Sequence, residues 1–373
     1  LKRRFEVIVV GGGIAGASLA YFLTRRGLTD VLVVEREEQP GYHATGRSAA
    51  ALVEYNAIPL FRRLTLEGAV FLREPPEGFV ETPLVEQVGV LLPGAGEGWE
   101  ALQQTAAAMA GEGCVVEALS RSEVLDRVPV LVPGEVDGGL LLPRGGHLDV
   151  HALLSGYLRA LGRAGGELRC RVEVQEVLVE RGRCVGLDTS AGELRADLVV
   201  NAAGAWVGEL GRMAGATPIA FSPKRRTIIT FAAPAGLDVR AWPMVDFDHR
   251  QLYFKAESGG LLASPMDQQP MSPCDARPDE ETVAEAVDRL QTLAPPLAPR
   301  ALRRKWAGLR TFSPDLLPVV GPDPRLPGFF WLAGQAGCGI ETSPALGQIA
   351  ADLVVDRGTT RLDAAEITPA RFR

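Results

Sequence analysis

Val7 to Val10 form an apolar run that leads straight into Gly11, Gly13 and Gly16; a helix-spaced apolar pattern follows, and a second run, Val31 to Val34, ends at Glu35. This order predicts strand, tight turn, helix and strand, a βαβ unit with a dinucleotide-binding fingerprint. Gly11 makes the turn, Gly13 lets backbone approach a pyrophosphate, and Gly16 lets the helix lie close to the sheet. The phosphates would meet a helix N-terminus, where free N–H groups and the dipole favour negative charge. Glu35 stands where an acidic side chain can accept hydrogen bonds from ribose hydroxyls. The fingerprint alone does not separate FAD from NAD.

After Arg36 a loop with Pro40, Gly41 and Gly46 carries Thr45 and Ser48, small hydroxyl residues suited to backbone beside a ligand, and a helix is expected to start at Ser48. Residues 57–76 read as a helix ended by Pro75–Pro76, 79–92 as a strand with Val88, Val90 and Leu92 on one face, and 97–112 as a helix. Ser120 with Glu123 predicts a capping box, and Gly138 to Leu142 a strand. Residues 147–164 form an amphipathic helix stopped by Gly165–Gly166. Strand patterns follow at Leu168 to Val179, Cys184 to Asp188 and Asp197 to Asn201. The last, running into Gly204 and Trp206, reads as a second nucleotide-facing crossover or as continuation of a doubly wound sheet.

From Phe221 the pattern changes to successive antiparallel strands with turns at Asp246 to Arg250 and Ser258 to Gly260. A helix at 279–293 and a strand at Lys305 to Thr311 come next. Phe329 to Ala333, a glycine-rich turn and a helix from Ala345 to Val355 then return to the nucleotide style. The expected fold is therefore α/β with an α+β second lobe: a Rossmann-type dinucleotide domain (1–79, 146–216 and 316–373) interleaved with a substrate domain on an antiparallel sheet (80–145 and 217–315). Small-molecule sites favour the cleft between such lobes.

Composition narrows the function classes. A net charge of −7 over 373 residues argues against nucleic acid or an anionic membrane as main partner. No apolar stretch is long enough for a membrane span, and nothing ahead of Phe5 reads as a signal peptide. Five scattered cysteines without CxxC or metal spacing point to a reduced, cytoplasmic setting and no metal site. With only four histidines, a His-based zinc site or a Ser–His–Asp triad is hard to assemble.

Five segments together resemble the D-amino-acid oxidase/glycine oxidase superfamily of FAD-dependent amine oxidoreductases: VIVVGGGIAGASLAYFL with Glu35–Arg36, PGYHATGRSAA, LVVNAAGAW, WAGLRTFSPDLLPVVG and GQAGCGIETSP. Within it, the runs TGRSAA, NAAGAW, PKRR, WPM and WAGLR are most similar to bacterial D-arginine dehydrogenases. The resemblance implies FAD rather than NAD. It assigns Gly11, Gly13, Ile14, Gly16, Glu35 and Arg36 to the pyrophosphate and adenosine part, and Thr45, Arg47 and Ser48 to the pyrophosphate and flavin. Val174 would lie against adenine, Gly204 near the phosphates, and Gly337, Gly339 and Ile340 at the ribityl chain and flavin edge. In the sarcosine oxidase branch a cysteine just before the segment matching TFSPD tethers the flavin; here that place reads AGLR, so non-covalent FAD is expected. Cys338, in the cofactor turn, reads as a small packing residue.

The same resemblance gives Arg226 and Arg310 to the substrate carboxylate, with the Tyr253 hydroxyl on the same group. A guanidinium fork holds a carboxylate in two hydrogen bonds and stays charged at any working pH. Strand alternation turns Arg225 to the other face. Implied is oxidative deamination: hydride passes from Cα to flavin N5, and the imine hydrolyses to a 2-oxo acid plus ammonia or an amine. O2 or a quinone would reoxidise the flavin. The pocket residues are Ala51, Met244, Asp246 and Gly339; Asp246 could recognise an amine or simply belong to the following turn, and His249 reads as an exposed turn residue. The acidic side chain that holds a cationic substrate in the arginine enzymes falls near Gly89, so apolar D-amino acids or N-substituted glycines fit better. The alternatives are a 2-hydroxy-acid dehydrogenase, disfavoured because an alcohol proton needs a positioned base, and a flavoprotein subunit whose FAD is structural.

Overall fold

The computed structural model describes residues 2–372. Its first sheet has eight strands and a parallel centre. Arg4–Val10 pairs in parallel with both Val31–Val34 and Leu194–Asn201, and Leu194–Asn201 pairs in parallel with Phe329–Ala333. Start, middle and end of the chain thus meet in one sheet. The apolar runs are continuous because both faces are covered. One face packs on the helices Ile14–Arg25, Pro59–Arg73, Val150–Arg163 and Ser343–Val355, and the other buries Trp331 with Leu187, Val207 and Leu210.

The second sheet also has eight strands. Its order is Leu302–Phe312, Ser222–Ala232, Gly260–Ser264, Leu252–Glu257, Met244–Phe247, Val90–Gly94, Gly138–Leu142 and Glu117–Ser120. Here period-two alternation sorts side chains between two cores. Ile229, Val245, Phe254, Ala263 and Leu91 pack beneath the helix Glu280–Leu293, through Val283, Ala286 and Leu290. Their chain neighbours Ile228, Met244, Tyr253, Leu262 and Val90 face the opposite way, against Ala49, Ala51 and Tyr55 from the first lobe's loop. That second face carries the candidate substrate site.

Several expected elements differ. No helix starts at Ser48; the chain passes through turns into the short strand Ala51–Leu52, which pairs with Gly146–Leu148. Ser48 Oγ accepts from Ala50 N–H at 3.0 Å, a local bond that competes with a helical turn. The 79–92 strand reduces to Val85–Glu86 and Val90–Gly94, broken at Gly89, whose φ of +84° suits only glycine. The 168–179 strand splits into Glu167–Arg169 and Val174–Glu180, which lie at opposite edges of the first sheet. The capping box forms as expected: Ser120 Oγ accepts from Glu123 N–H at 3.4 Å, and Glu123 Oε2 accepts from Ser120 N–H at 2.8 Å.

Candidate active site

The first βα turn opens a cleft of about 340 Å³. Gly11 has φ +111°, and a Cβ there would stand 2.4 Å from the Ala202 carbonyl oxygen. A Cβ on Gly16 would stand 2.1 Å from the Gly11 oxygen, so the helix can follow the turn only because both lack side chains. No side chain caps the helix at Gly13, which leaves the first turn facing the cleft. Thr45 Oγ1 accepts from Ile14 N–H at 3.0 Å and fastens the next loop across the opening. Glu35 accepts one backbone N–H on each oxygen, from Gly12 and Glu37, both at 2.9 Å. Each oxygen keeps a lone pair for a ribose hydroxyl.

At the far end of the cleft the Arg36 guanidinium lies 4.2 Å from the Trp206 ring centre. The His43 ring centre is 4.7 Å from the same indole. Glu37 joins Arg36 and His43 at 3.0 and 2.8 Å, and these partners hold its carboxyl below the usual range. Alternation and spacing did not single out Trp206 or His43 as lining residues, although both lie inside quoted motifs.

The face of the second sheet that carries Ile228 and Tyr253 has a different character. Arg226 lies directly opposite Gly308, and Arg310 opposite Lys224, two pairs further along the same strands. Both arginines therefore share a face. Arg226 is 4% exposed, yet its Nε and Nη1 have no hydrogen-bond partner. Burial and then the nearby Arg310 push the Arg226 guanidinium down to about 10, so it stays charged at neutral pH. Tyr253 presents a buried hydroxyl that is likewise unpartnered. Asp246 sits directly across the strand pair from Tyr253, and its Oδ1 is buried without a donor. Burial, then Asp248, raise the Asp246 carboxyl to about 7, against the pull of Arg226 and Arg310. Asp246 belongs to the strand, while the turn proper is Asp248–Arg250 with Gln251 at φ +52°. His249 is exposed on that turn.

Arg225 points the other way. It donates to Asp267, Gln269 and Thr282 at 2.8 to 3.0 Å and pairs with Asp279. The glycine-rich turn closes over Arg310: a Cβ on Gly337 would be 2.9 Å from Arg310 Nη1. Beside it, burial raises the Glu341 carboxyl to about 7 and drives the Cys338 thiol far up.

A family model described as DAO, FAD dependent oxidoreductase, matches residues 6–353. The chain belongs to this family. Among DAO-family proteins it is similar to glycine oxidase of Geobacillus kaustophilus, 27% identical over all of this chain and 98% of that protein. The crystal structure of glycine oxidase from that organism superposes with a TM-score of 0.86 at 26% identity, covering 98% of each chain. Human mitochondrial dimethylglycine dehydrogenase is 24% identical over the whole chain, but this chain spans only 45% of its length. The fold also matches L-proline dehydrogenase from P. horikoshii, with a TM-score of 0.88 at 24% identity and coverage of 100% and 98%.

FAD is the family's cofactor, and the cleft suits it: an uncapped helix start, a glycine turn with no room for side chains, and an acidic residue with free lone pairs. Of the residues expected to bind it, Gly11, Gly13, Glu35, Arg36, Thr45, Arg47, Val174 and Gly204 line the cleft. Ile14, Gly16, Ser48, Gly337, Gly339 and Ile340 do not line it, and Gly337 lies instead against Arg310. Arg47 differs in use. Its Nη1 donates to the Ala276 and Ala307 carbonyls at 3.1 Å, and Nη2 pairs with Asp275. Its guanidinium ties this loop to the 275–276 segment and to the strand Leu302–Phe312 of the second sheet, and has few donors left for a phosphate. Cys274 also lines the cleft, a neighbour that its place in the chain did not reveal.

Proposed function

We propose that the protein oxidises a small amino acid of the glycine, D-amino-acid or N-substituted glycine type to an imine, which hydrolyses to a 2-oxo acid plus ammonia or an amine. The observation that carries this reading is the buried Arg226 with two unpartnered guanidinium nitrogens, on one face with Arg310 and the unpartnered Tyr253 hydroxyl. A buried cation with unmet donors is costly, and a substrate carboxylate would meet that need. Arg226 and Arg310 would grip the carboxylate as charged donors, and Tyr253 would add a hydroxyl. Ala51, Met244, Asp246 and Gly339 would shape the pocket around Cα. Bound FAD supplies the acceptor for the Cα hydride. In this reading 1–79, 146–216 and 316–373 form the FAD-binding domain, and 80–145 with 217–315 the substrate domain.

The FAD is proposed to be non-covalent, because the segment just before Thr311, where the sarcosine oxidase branch carries its tethering cysteine, reads AGLR. Five free cysteines are consistent with a reduced, cytoplasmic compartment. Among the described residues no helix is long and apolar enough to cross a membrane.

The buried Asp246 favours a second reading. It offers the positioned base whose absence had argued against a 2-hydroxy-acid dehydrogenase. One experiment separates the two. Anaerobic mixing with D- and L-amino acids, N-alkylglycines and 2-hydroxy acids, read near 450 nm, should bleach the flavin with an amine substrate. Bleaching by hydroxy acids alone would overturn the amino-acid reading. Readmitting air, or adding a quinone, identifies the electron acceptor.

A further inference from the structure

We propose that Asp246 accepts the proton that the substrate's α-ammonium must lose before hydride can leave Cα; this rests on the amino-acid reading above. An ammonium has no lone pair to form the C=N bond, so one N–H bond must break first. Asp246 is placed for that transfer. It is opposite Tyr253 in register and on the face that carries Arg226 and Arg310. Its Oδ1 is sealed from solvent and accepts no hydrogen bond from the protein. An amino acid held by its carboxylate on the arginines would bring a cationic nitrogen to this oxygen, matching positive charge with positive-seeking carboxylate.

The charged and titratable groups around Asp246 are Asp248 on its own strand end, Tyr253 across the pair, Arg226 and Arg310 from the long strands, and Tyr55 from the first lobe's loop. The arginines favour the ionised form, while burial and Asp248 oppose it, leaving the carboxyl at about 7. An α-ammonium is a far stronger acid than a hydroxyl, whose proton is held nearly as tightly as that of water at about 16, so a carboxylate can relieve the ammonium of its proton more readily than the hydroxyl. Glu341, the other raised carboxyl near Arg310, has its oxygens engaged by its own N–H and the Cys338 thiol.

The step balances simply. The ammonium N–H breaks and an O–H forms on Asp246 Oδ1. The Cα–H would then leave as hydride, with its electron pair, for which bound FAD would supply the acceptor. The freed nitrogen lone pair makes the C=N bond, and water later hydrolyses it. Asp246 returns its proton to solvent when product departs.

The test compares the FAD-loaded wild type with Asp246→Asn. Wild-type flavin reduction by its amino-acid substrate should rise with pH through about 7 and level off. In Asp246→Asn it should be at least tenfold slower at pH 7 and shift to alkaline pH by at least one unit, approaching wild type near pH 10. A second readout needs no turnover. 2-Aminoisobutyrate has no Cα hydrogen, and its binding at pH 6 should release about one proton to an indicator dye in wild type and none in the variant. Propionate, a carboxylate without an amine, should bind both proteins within threefold, which shows an intact arginine site. If the Asn variant fails to retain FAD, Asp246→Ser takes the same tests. An unchanged pH profile and unchanged proton release would overturn this proposal alone. A wild type that no amino acid reduces would overturn the amino-acid reading, and this proposal with it.

Discussion

Arg226 lies directly across the sheet from Gly308, and Gly308 lines the cofactor cleft. One strand pair therefore carries the candidate carboxylate clamp on the wall of the FAD site. A larger residue at Gly308 would press on Arg47, whose Cβ is 3.2 Å from the Cβ position there.

Two adjacent arginines should respond in opposite ways to removal. Arg225 is paired with the buried Asp267 and the more exposed Asp279, so Arg225→Ala should cost about 3 kcal/mol of stability by stranding the Asp267 carboxylate. Arg226→Met should leave stability equal or higher, since it removes an unpaired buried charge, and weaken carboxylate ligands by about 2–5 kcal/mol. Thermal melts and flavin-monitored propionate titrations of both variants check the pair.

In the proposed clamp the Tyr253 hydroxyl adds a grip on the carboxylate. Tyr253→Phe should weaken the same ligands by about 1 kcal/mol, roughly fivefold in Kd, with no loss of stability because the hydroxyl has no protein partner. An unchanged Kd would remove Tyr253 from the clamp.

The close approach at the first turn leaves no tolerance. Gly16→Ala would put a methyl 2.1 Å from the Gly11 oxygen, so the purified variant should lack bound FAD or fail to fold. Flavin content per chain, from the ratio of absorbance at 450 and 280 nm, measures this. Gly27→Ala is a control for space alone, since nothing lies within 4 Å there, although its φ of +84° carries a modest strain of about 1 kcal/mol.

Stability without substrate should fall as pH rises. Asp246 and Glu341 both have carboxyls raised to about 7 in the folded protein, above the usual unfolded range. The folded state then holds protons that the unfolded state has released. Their stabilising contribution is complete below the unfolded values and is lost as pH climbs to about 7, by on the order of a few kcal/mol. Melting the FAD-loaded protein between pH 5 and 8 should show that decline, and Asp246→Asn with Glu341→Gln should flatten it.

The local elements were legible in the sequence because their signals are local. Glycine spacing before an apolar helix, the Ser120–Glu123 box and the runs at Gly138 to Leu142 and Phe329 to Ala333 each declare one element with little help from elsewhere. Alternation also separated Arg225 from Arg226, since neighbouring strand side chains must leave by opposite faces. Tertiary structure decided what those side chains meet. Whether Asp246 belonged to a turn or to a strand depended on its pairing with Tyr253, a register set by the whole sheet. Whether Arg47 reached a phosphate or tied its loop to the second sheet depended on the Ala276 and Ala307 carbonyls, more than two hundred residues away in the chain. Burial works the same way. A carboxyl raised to about 7 is a property of the wall around Asp246, and that wall is assembled from four separate stretches of chain that only the folded protein brings together.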